Sequence, residues 1–112
     1  MEVTIRVERK GDVTILIVES DIDFASGKAV DSAIDAATAG PASRVIVDLT
    51  ACPYCDSTGL NAFIRAKHKL GARLAIVLPP EHQTQVVFEI TKLSDFLAVY
   101  PTREEALEAL GS

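Results

Sequence analysis

The sequence lacks an apolar run long enough to cross a membrane. Its most continuous apolar stretch, residues 13–18, is interrupted by Thr14, whereas a spanning helix needs roughly 20 apolar residues. The first residues also lack the basic start and the long apolar region of a secretory signal. We therefore expect no membrane association and a cytoplasmic location.

Positive charge is also scarce. Eleven Lys and Arg face sixteen Asp and Glu, which gives a net charge of −5, and the basic residues form no stripe. Such a surface repels a phosphate backbone, so we expect no nucleic-acid partner. The remaining composition, 48% hydrophobic and 24% charged in 112 residues, is typical of one folded domain, which we place at residues 1–112.

The hydrophobic pattern alternates between strand and helix periods. Alternating apolar residues from Val3 to Val7, a turn at Gly11 and the run at 13–18 predict an antiparallel hairpin. Runs at 45–49, 74–78 and 97–100 predict three further strands. Apolar residues at helical spacing predict four helices: Val30, Ala33, Ile34 and Ala37; Leu60, Phe63, Ile64 and Leu70; Val86, Ile90 and Leu93; Ala106, Leu107 and Leu110. The order predicts an α/β fold with a mixed five-stranded sheet and about four α-helices.

The segment between the third strand and the second helix, residues 48–60, reads Asp-Leu-Thr-Ala-Cys-Pro-Tyr-Cys-Asp-Ser-Thr-Gly-Leu. It resembles the signature of STAS domains, named for sulfate transporters and anti-sigma antagonists, in which a strand ending in Asp-Leu leads to Asp-Ser-Ser/Thr-Gly-Leu. Residues 20–23 match the family's Gly-x-Leu-Asp loop, with Ser20 in place of glycine, and residues 71–78 and 88–110 match its later patterns. The resemblance covers nearly the whole chain and implies the STAS fold.

The resemblance also implies an anti-sigma factor antagonist, a phosphoprotein that regulates sigma-factor-dependent transcription by protein–protein interaction. In such proteins the serine after the Asp, here Ser57, is phosphorylated by a partner that is both anti-sigma factor and serine kinase. The unphosphorylated form captures that partner, phosphorylation releases it, and a serine phosphatase resets the switch. The implied partner-binding residues are Asp23, Asp56, Ser57, Thr58 and Gly59, with Thr58 as a second candidate acceptor.

Two other interpretations of residues 56–58 stay open. These side chains are also typical of a helix cap without further function. A STAS domain that serves as an unphosphorylated scaffold or sensor would carry the same motif. The position itself suits a switch, because the start of a helix tolerates a phosphate.

The two cysteines give a rival hypothesis. Cys52-Pro-Tyr-Cys55 is the active-site tetrapeptide of glutaredoxins and lies between a strand and a helix, so a dithiol redox protein, or redox sensitivity at Cys52 and Cys55, is the alternative. The Val-Pro and Gly-Gly elements of glutaredoxins are absent, and the STAS register makes Cys55 a core residue. His68 follows Cys55 at the spacing of the third ligand of a zinc finger, but His82 lies too far along the chain to be the fourth ligand. We expect reduced thiols, no metal, no cofactor and no enzymatic activity.

Overall fold

The computed structural model describes residues 4–22, 27–38 and 43–111. Its elements, in chain order, are β1 Ile5–Lys10, β2 Val13–Val18, α1 Gly27–Ala37, β3 Arg44–Asp48, α2 Ser57–Leu70, a 3-10 turn Gly71–Arg73, β4 Leu74–Val77, α3 Thr84–Ile90, α4 Leu93–Phe96, β5 Val99–Tyr100 and α5 Arg103–Ala109. Within these residues the longest helix, α2, has 14 residues, and no helix combines the length and apolar character that a membrane span requires.

The five strands form one sheet in the order β1-β2-β3-β4-β5. β1 and β2 pair antiparallel, with Lys10 opposite Val13, and every later neighbour pair is parallel. Gly11 adopts φ 61 between the paired strands, a conformation that glycine reaches without steric cost. The predicted hairpin and mixed sheet are confirmed, and the carboxyl ends of β2 to β5 share one edge.

Both faces of the sheet are covered, which explains the nearly continuous apolar strands. On one face, alternate residues of β2, β3 and β4 pack against α1, α2, α3 and α4. On the other face, the remaining strand residues pack under Ala106 and Leu110 of the α5 region. The helices that precede each parallel strand thus lie together, and the C-terminal helix covers the opposite side alone among the described elements.

The boundaries of α2 follow signals that are legible in the sequence. The helix ends at Leu70, and its C-cap Gly71 has φ 59 and donates its N–H to the Lys67 carbonyl. Lys67, His68 and Lys69 occupy the last turn, where cations interact favourably with the helix dipole. Gly71 follows the last apolar residue of the helix in the sequence, which predicts a stop there, and this stop is confirmed. Gly40 and Pro41 predict the end of the preceding helix, but they lie outside the described residues.

The third helix exists, but of the three residues predicted for its apolar face only Leu93 is buried. Val86 and Ile90, expected in the core, are 56% and 75% exposed, and the buried residues of α3 are Thr84 and Phe88. Lys92 adopts a left-handed conformation with φ 63 and interrupts the helix, so that Leu93 begins the separate four-residue helix α4. This break adds a fifth helix to the four that the pattern predicted.

Candidate functional site

Two loops meet at the carboxyl edge of the sheet. The β3–α2 loop comprises residues 49–56, and the segment after β2 contacts it through Ile22. The Ile22 N–H donates to the Tyr54 carbonyl at 2.8 Å, and the Asp56 N–H donates to the Ile22 carbonyl at 2.9 Å. Asp23, which the family resemblance assigned to partner binding, lies outside the described residues, although its neighbour Ile22 forms a bridge with Cys55.

Ser57 is the first residue of α2, and it is exposed. The preceding Asp56 is the N-cap, because its Oδ1 accepts from the N–H groups of Thr58 at 2.9 Å and Gly59 at 3.4 Å. Such a cap satisfies backbone donors that the first turn leaves without an intrahelical partner. The capping interpretation therefore holds for Asp56, and the hydroxyl-bearing residue beside it faces solvent.

Thr58 and Gly59 are packing positions. The start of α1 lies directly on Thr58, since a Cβ on Gly27 would overlap the Thr58 methyl group. A Cβ on Gly59 would lie 2.5 Å from Cys55 Sγ and 2.6 Å from Ile22 Cγ2. Thr58 is half-buried and Gly59 is buried. Of the two hydroxyl candidates, Ser57 is thus the accessible one.

Both thiols are buried below this loop. Burial raises the pKa of Cys52 to about 11 and that of Cys55 to about 12, in the direction opposite to that of a reactive dithiol. Cys52 Sγ donates to the Tyr54 carbonyl at 3.3 Å, and Cys55 Sγ packs where Gly59 has no side chain. Cys55 is confirmed as a core residue, and this environment disfavours the thiolate that the glutaredoxin-like alternative needs.

His82, two residues before α3, connects this helix to the β3–α2 loop. Its Nδ1 accepts from the Thr84 N–H at 3.0 Å, so its Nε2 donates to the Cys52 carbonyl at 2.6 Å. The Gln83 side chain donates to the Pro53 carbonyl. This contact spans 30 residues, and no local pattern predicts it.

The zinc-finger-like spacing is not realised in space. His68 lies against the Phe96 ring, with centroids 5.6 Å apart, while His82 bonds to a backbone carbonyl. Within residues 4–22, 27–38 and 43–111, no three His, Cys, Asp or Glu side chains gather as metal ligands would.

The family model for the STAS domain matches residues 4–106. This chain belongs to the STAS domain family. A search of curated proteins found no match. The STAS assignment agrees with the observed five-stranded mixed sheet and its helices.

Solved structures support the assignment. An anti-sigma factor antagonist from Mycobacterium paratuberculosis superposes with a TM-score of 0.87 at 26% identity, covering 99% of this chain and 96% of that one. A putative anti-sigma factor antagonist from Thermotoga maritima gives 0.84 at 18% identity, covering 96% and 95%. The phosphorylated form of the Bacillus cell fate determinant SpoIIAA gives 0.67 at 18% identity, covering 94% and 97%. The two less similar structures support the fold alone.

At the end of β3, on the face of the sheet that α5 covers, Asp48 is buried. Its Oδ1 accepts from the Thr50 N–H at 2.9 Å and from Thr50 Oγ1 at 2.6 Å, and its Oδ2 accepts from Arg103 Nε at 2.6 Å. Burial alone would raise the pKa of Asp48, but these hydrogen bonds outweigh it and lower the pKa. The carboxylate therefore fastens α5 to the sheet, a contact that sequence reasoning missed.

Proposed function

We propose that this STAS domain is an anti-sigma factor antagonist that binds an anti-sigma factor with serine kinase activity while Ser57 is unphosphorylated. Phosphorylation of Ser57 releases that partner, and a serine phosphatase restores the binding form. The exchange regulates sigma-factor-dependent transcription. The observation that carries the proposal is the exposure of Ser57 at the first residue of α2.

The position allows the modification without unfolding. The first turn of α2 has backbone N–H groups and the positive end of the helix dipole, which accommodate a phosphate. Asp56 accepts from the N–H groups of Thr58 and Gly59, so the helix start is formed before any phosphate arrives. A phosphorylated Ser57 therefore changes the surface and leaves the fold in place.

The same modification disfavours a docked partner. A phosphate adds about −1.5 to −2 charges near pH 7, next to the Asp56 carboxylate and on a protein of net charge −5. Covering such a group with an apolar or acidic partner surface would remove its hydration without compensation, at a cost of several kcal/mol by the usual scale for buried ions. Release of the partner follows from this imbalance.

The five partner-binding residues have different parts in this proposal. Ser57 contacts the partner. Asp56 fixes the start of α2, Thr58 lies against α1, and Gly59 permits the close approach of α2 to Ile22. Direct contact by Asp23 remains a prediction from the family motif.

Phosphosite mapping tests the proposal. The anti-sigma factor kinases encoded in the same genome are purified, incubated singly with this protein and ATP, and the phosphorylated residue is identified by mass spectrometry. We expect phosphate on Ser57 and none in Ser57→Ala. The matched control is Ser94→Ala, because Ser94 is an exposed helical serine far along the chain on α4, and this variant should be phosphorylated like the wild type.

Binding measurements with the same kinase distinguish a phosphorylation switch at Ser57 from the unphosphorylated scaffold alternative. Ser57→Ala should retain binding, and Ser57→Asp should weaken it. Phosphate found only at other residues counts against the switch. Binding that is unchanged in both variants favours the scaffold alternative.

A further inference from the structure

An apolar surface that the sequence pattern assigned to the core lies beside the β3–α2 loop. Val86 and Ile90, one turn apart on α3, form what we call the α3 stripe and are 56% and 75% exposed. Tyr54, three residues before Ser57, is 50% exposed. Few large apolar residues are this exposed among those described, and three of them belong to these two adjacent segments.

A hollow separates Tyr54 from Val86, the member of the α3 stripe that lines it. Its volume is about 250 Å³, and its lining is Tyr54, Cys55, Gln83, Thr84, Val86 and Val87. Cys55 is two residues before Ser57, so their Cα atoms are at most about 7 Å apart. The hollow therefore lies close to the proposed phosphorylation site.

The two walls of the hollow are held in a fixed relation. His82 Nε2 donates to the Cys52 carbonyl at 2.6 Å, and the Gln83 side chain donates to the Pro53 carbonyl. His82 Nδ1 also accepts from the Thr84 N–H at the start of α3. A preorganised surface of this kind loses little conformational entropy when a partner binds.

The two segments that border the hollow carry acidic charge. Residues 51–58 and 80–91 include Asp56, Glu81 and Glu89 and contain no lysine or arginine, and the first basic residue after them is Lys92, just after the end of α3. Glu89 follows Val86 by three positions and is exposed, which places it beside the α3 stripe on the helix surface. An occupant complementary to this surface has an apolar side chain flanked by basic residues on the side of α3.

We infer that the partner docking at Ser57 also seats an apolar side chain between Tyr54 and Val86, with basic residues against Glu81 and Glu89. This inference rests on the proposed function and extends the partner contact from Ser57 to α3. Phosphorylation of Ser57 then places its charge at the near edge of a contact that must exclude water, whereas the basic residues meet α3 on the far side. A buried apolar anchor with a charged rim is a common arrangement in protein interfaces.

Affinity measurements on α3 variants test the inference. The probe is the purified anti-sigma factor kinase that phosphorylates Ser57, and the readout is its dissociation constant in the absence of ATP hydrolysis. Val86→Ala and Ile90→Ala should each weaken binding at least about fivefold, as truncation of an interface anchor does. Glu89→Lys should also weaken binding, and more strongly at low ionic strength, because the introduced lysine repels the basic residues of the partner. Thermal unfolding should be nearly unchanged, since these side chains are exposed.

Val7→Ala is the matched control, because Val7 is 60% exposed on β1 and lies outside the two segments around the hollow. It should change binding less than twofold. If Ser57→Asp weakens binding but the α3 variants bind like the wild type, the inference is overturned and the proposed function stands. If no kinase binds the wild-type protein, both fail. If the α3 variants disrupt a dimer of this chain and leave kinase binding unchanged, a second copy of the chain occupies the hollow and the inference is also overturned.

Discussion

Replacing Gly59 with alanine puts a methyl group against two buried side chains at the first turn of α2. The new Cβ would lie 2.5 Å from Cys55 Sγ and 2.6 Å from Ile22 Cγ2, well inside normal van der Waals separation. Overpacking of this kind costs about 1–3 kcal/mol, while alanine gains up to about 1 kcal/mol over glycine in helix propensity. Since both neighbours are buried, we expect a net loss of about 1–2 kcal/mol in the free energy of unfolding.

Urea unfolding monitored by circular dichroism measures this loss of unfolding free energy. In a separate thermal unfolding experiment, the melting temperature should fall by about 4–10 °C. The control is Asn61→Ala, because Asn61 is exposed on the same helix and alanine there should stabilise by a few tenths of a kcal/mol. Combining Gly59→Ala with Cys55→Ala removes one overlap, so the pair should show a favourable coupling of about 1 kcal/mol. A Gly59→Ala protein as stable as the wild type would refute the close packing of α2 on the β3–α2 loop.

The other expectations concern side chains around the same sheet edge. Ellman's reagent should modify Cys52 and Cys55 of the native protein far more slowly than in urea at pH 8, because burial raises their pKa values to about 11 and about 12; equal rates would contradict the burial. Asp56→Ala should cost about 1 kcal/mol in urea unfolding, and a loss below the error of the measurement would mean that the cap contributes nothing. Arg103→Gln should cost about 1–2 kcal/mol near pH 7, since it removes a charged hydrogen bond from the buried Asp48. The pKa of Asp48 is lowered in the folded state, so the stability that its carboxylate contributes is present above the unfolded pKa of about 3.9 and is lost as pH falls through the folded pKa. The difference in unfolding free energy between wild type and Arg103→Gln should therefore shrink at acid pH. A difference that does not change with pH would show that it does not come from the ion pair with Asp48.

Local signals in the sequence predicted most of the fold. The hairpin turn at Gly11 and the helix stop at Gly71 each depend on residues within one turn. The same holds for the start of α5, where the spacing of Thr102 and Glu105 predicts a capping box and Thr102 accepts from the Glu105 N–H at 3.2 Å. The buried strands were recognisable because both faces of the sheet are covered. Position and exposure of Ser57 follow from the same local pattern, a capped helix start after a central strand.

Longer-range features were not predictable in this way. Helical spacing identified α3, but Val86 and Ile90 have the same spacing as a core face, and only the packing of Phe88 decides which side is buried. His82 meets the β3–α2 loop across 30 residues, and Arg103 meets Asp48 across 55. Such contacts depend on the order of the strands in the sheet, which periodicity does not specify.

The central claim is that charge on Ser57 decides whether the partner docks. The most direct measurement titrates one purified anti-sigma factor kinase with two forms of this protein, unphosphorylated and phosphorylated on Ser57 alone, and compares their dissociation constants without ATP. We predict that the phosphorylated form binds at least about tenfold more weakly, a difference of about 1.4 kcal/mol, while its circular dichroism spectrum stays the same. Equal affinity of the two folded forms would contradict the claim.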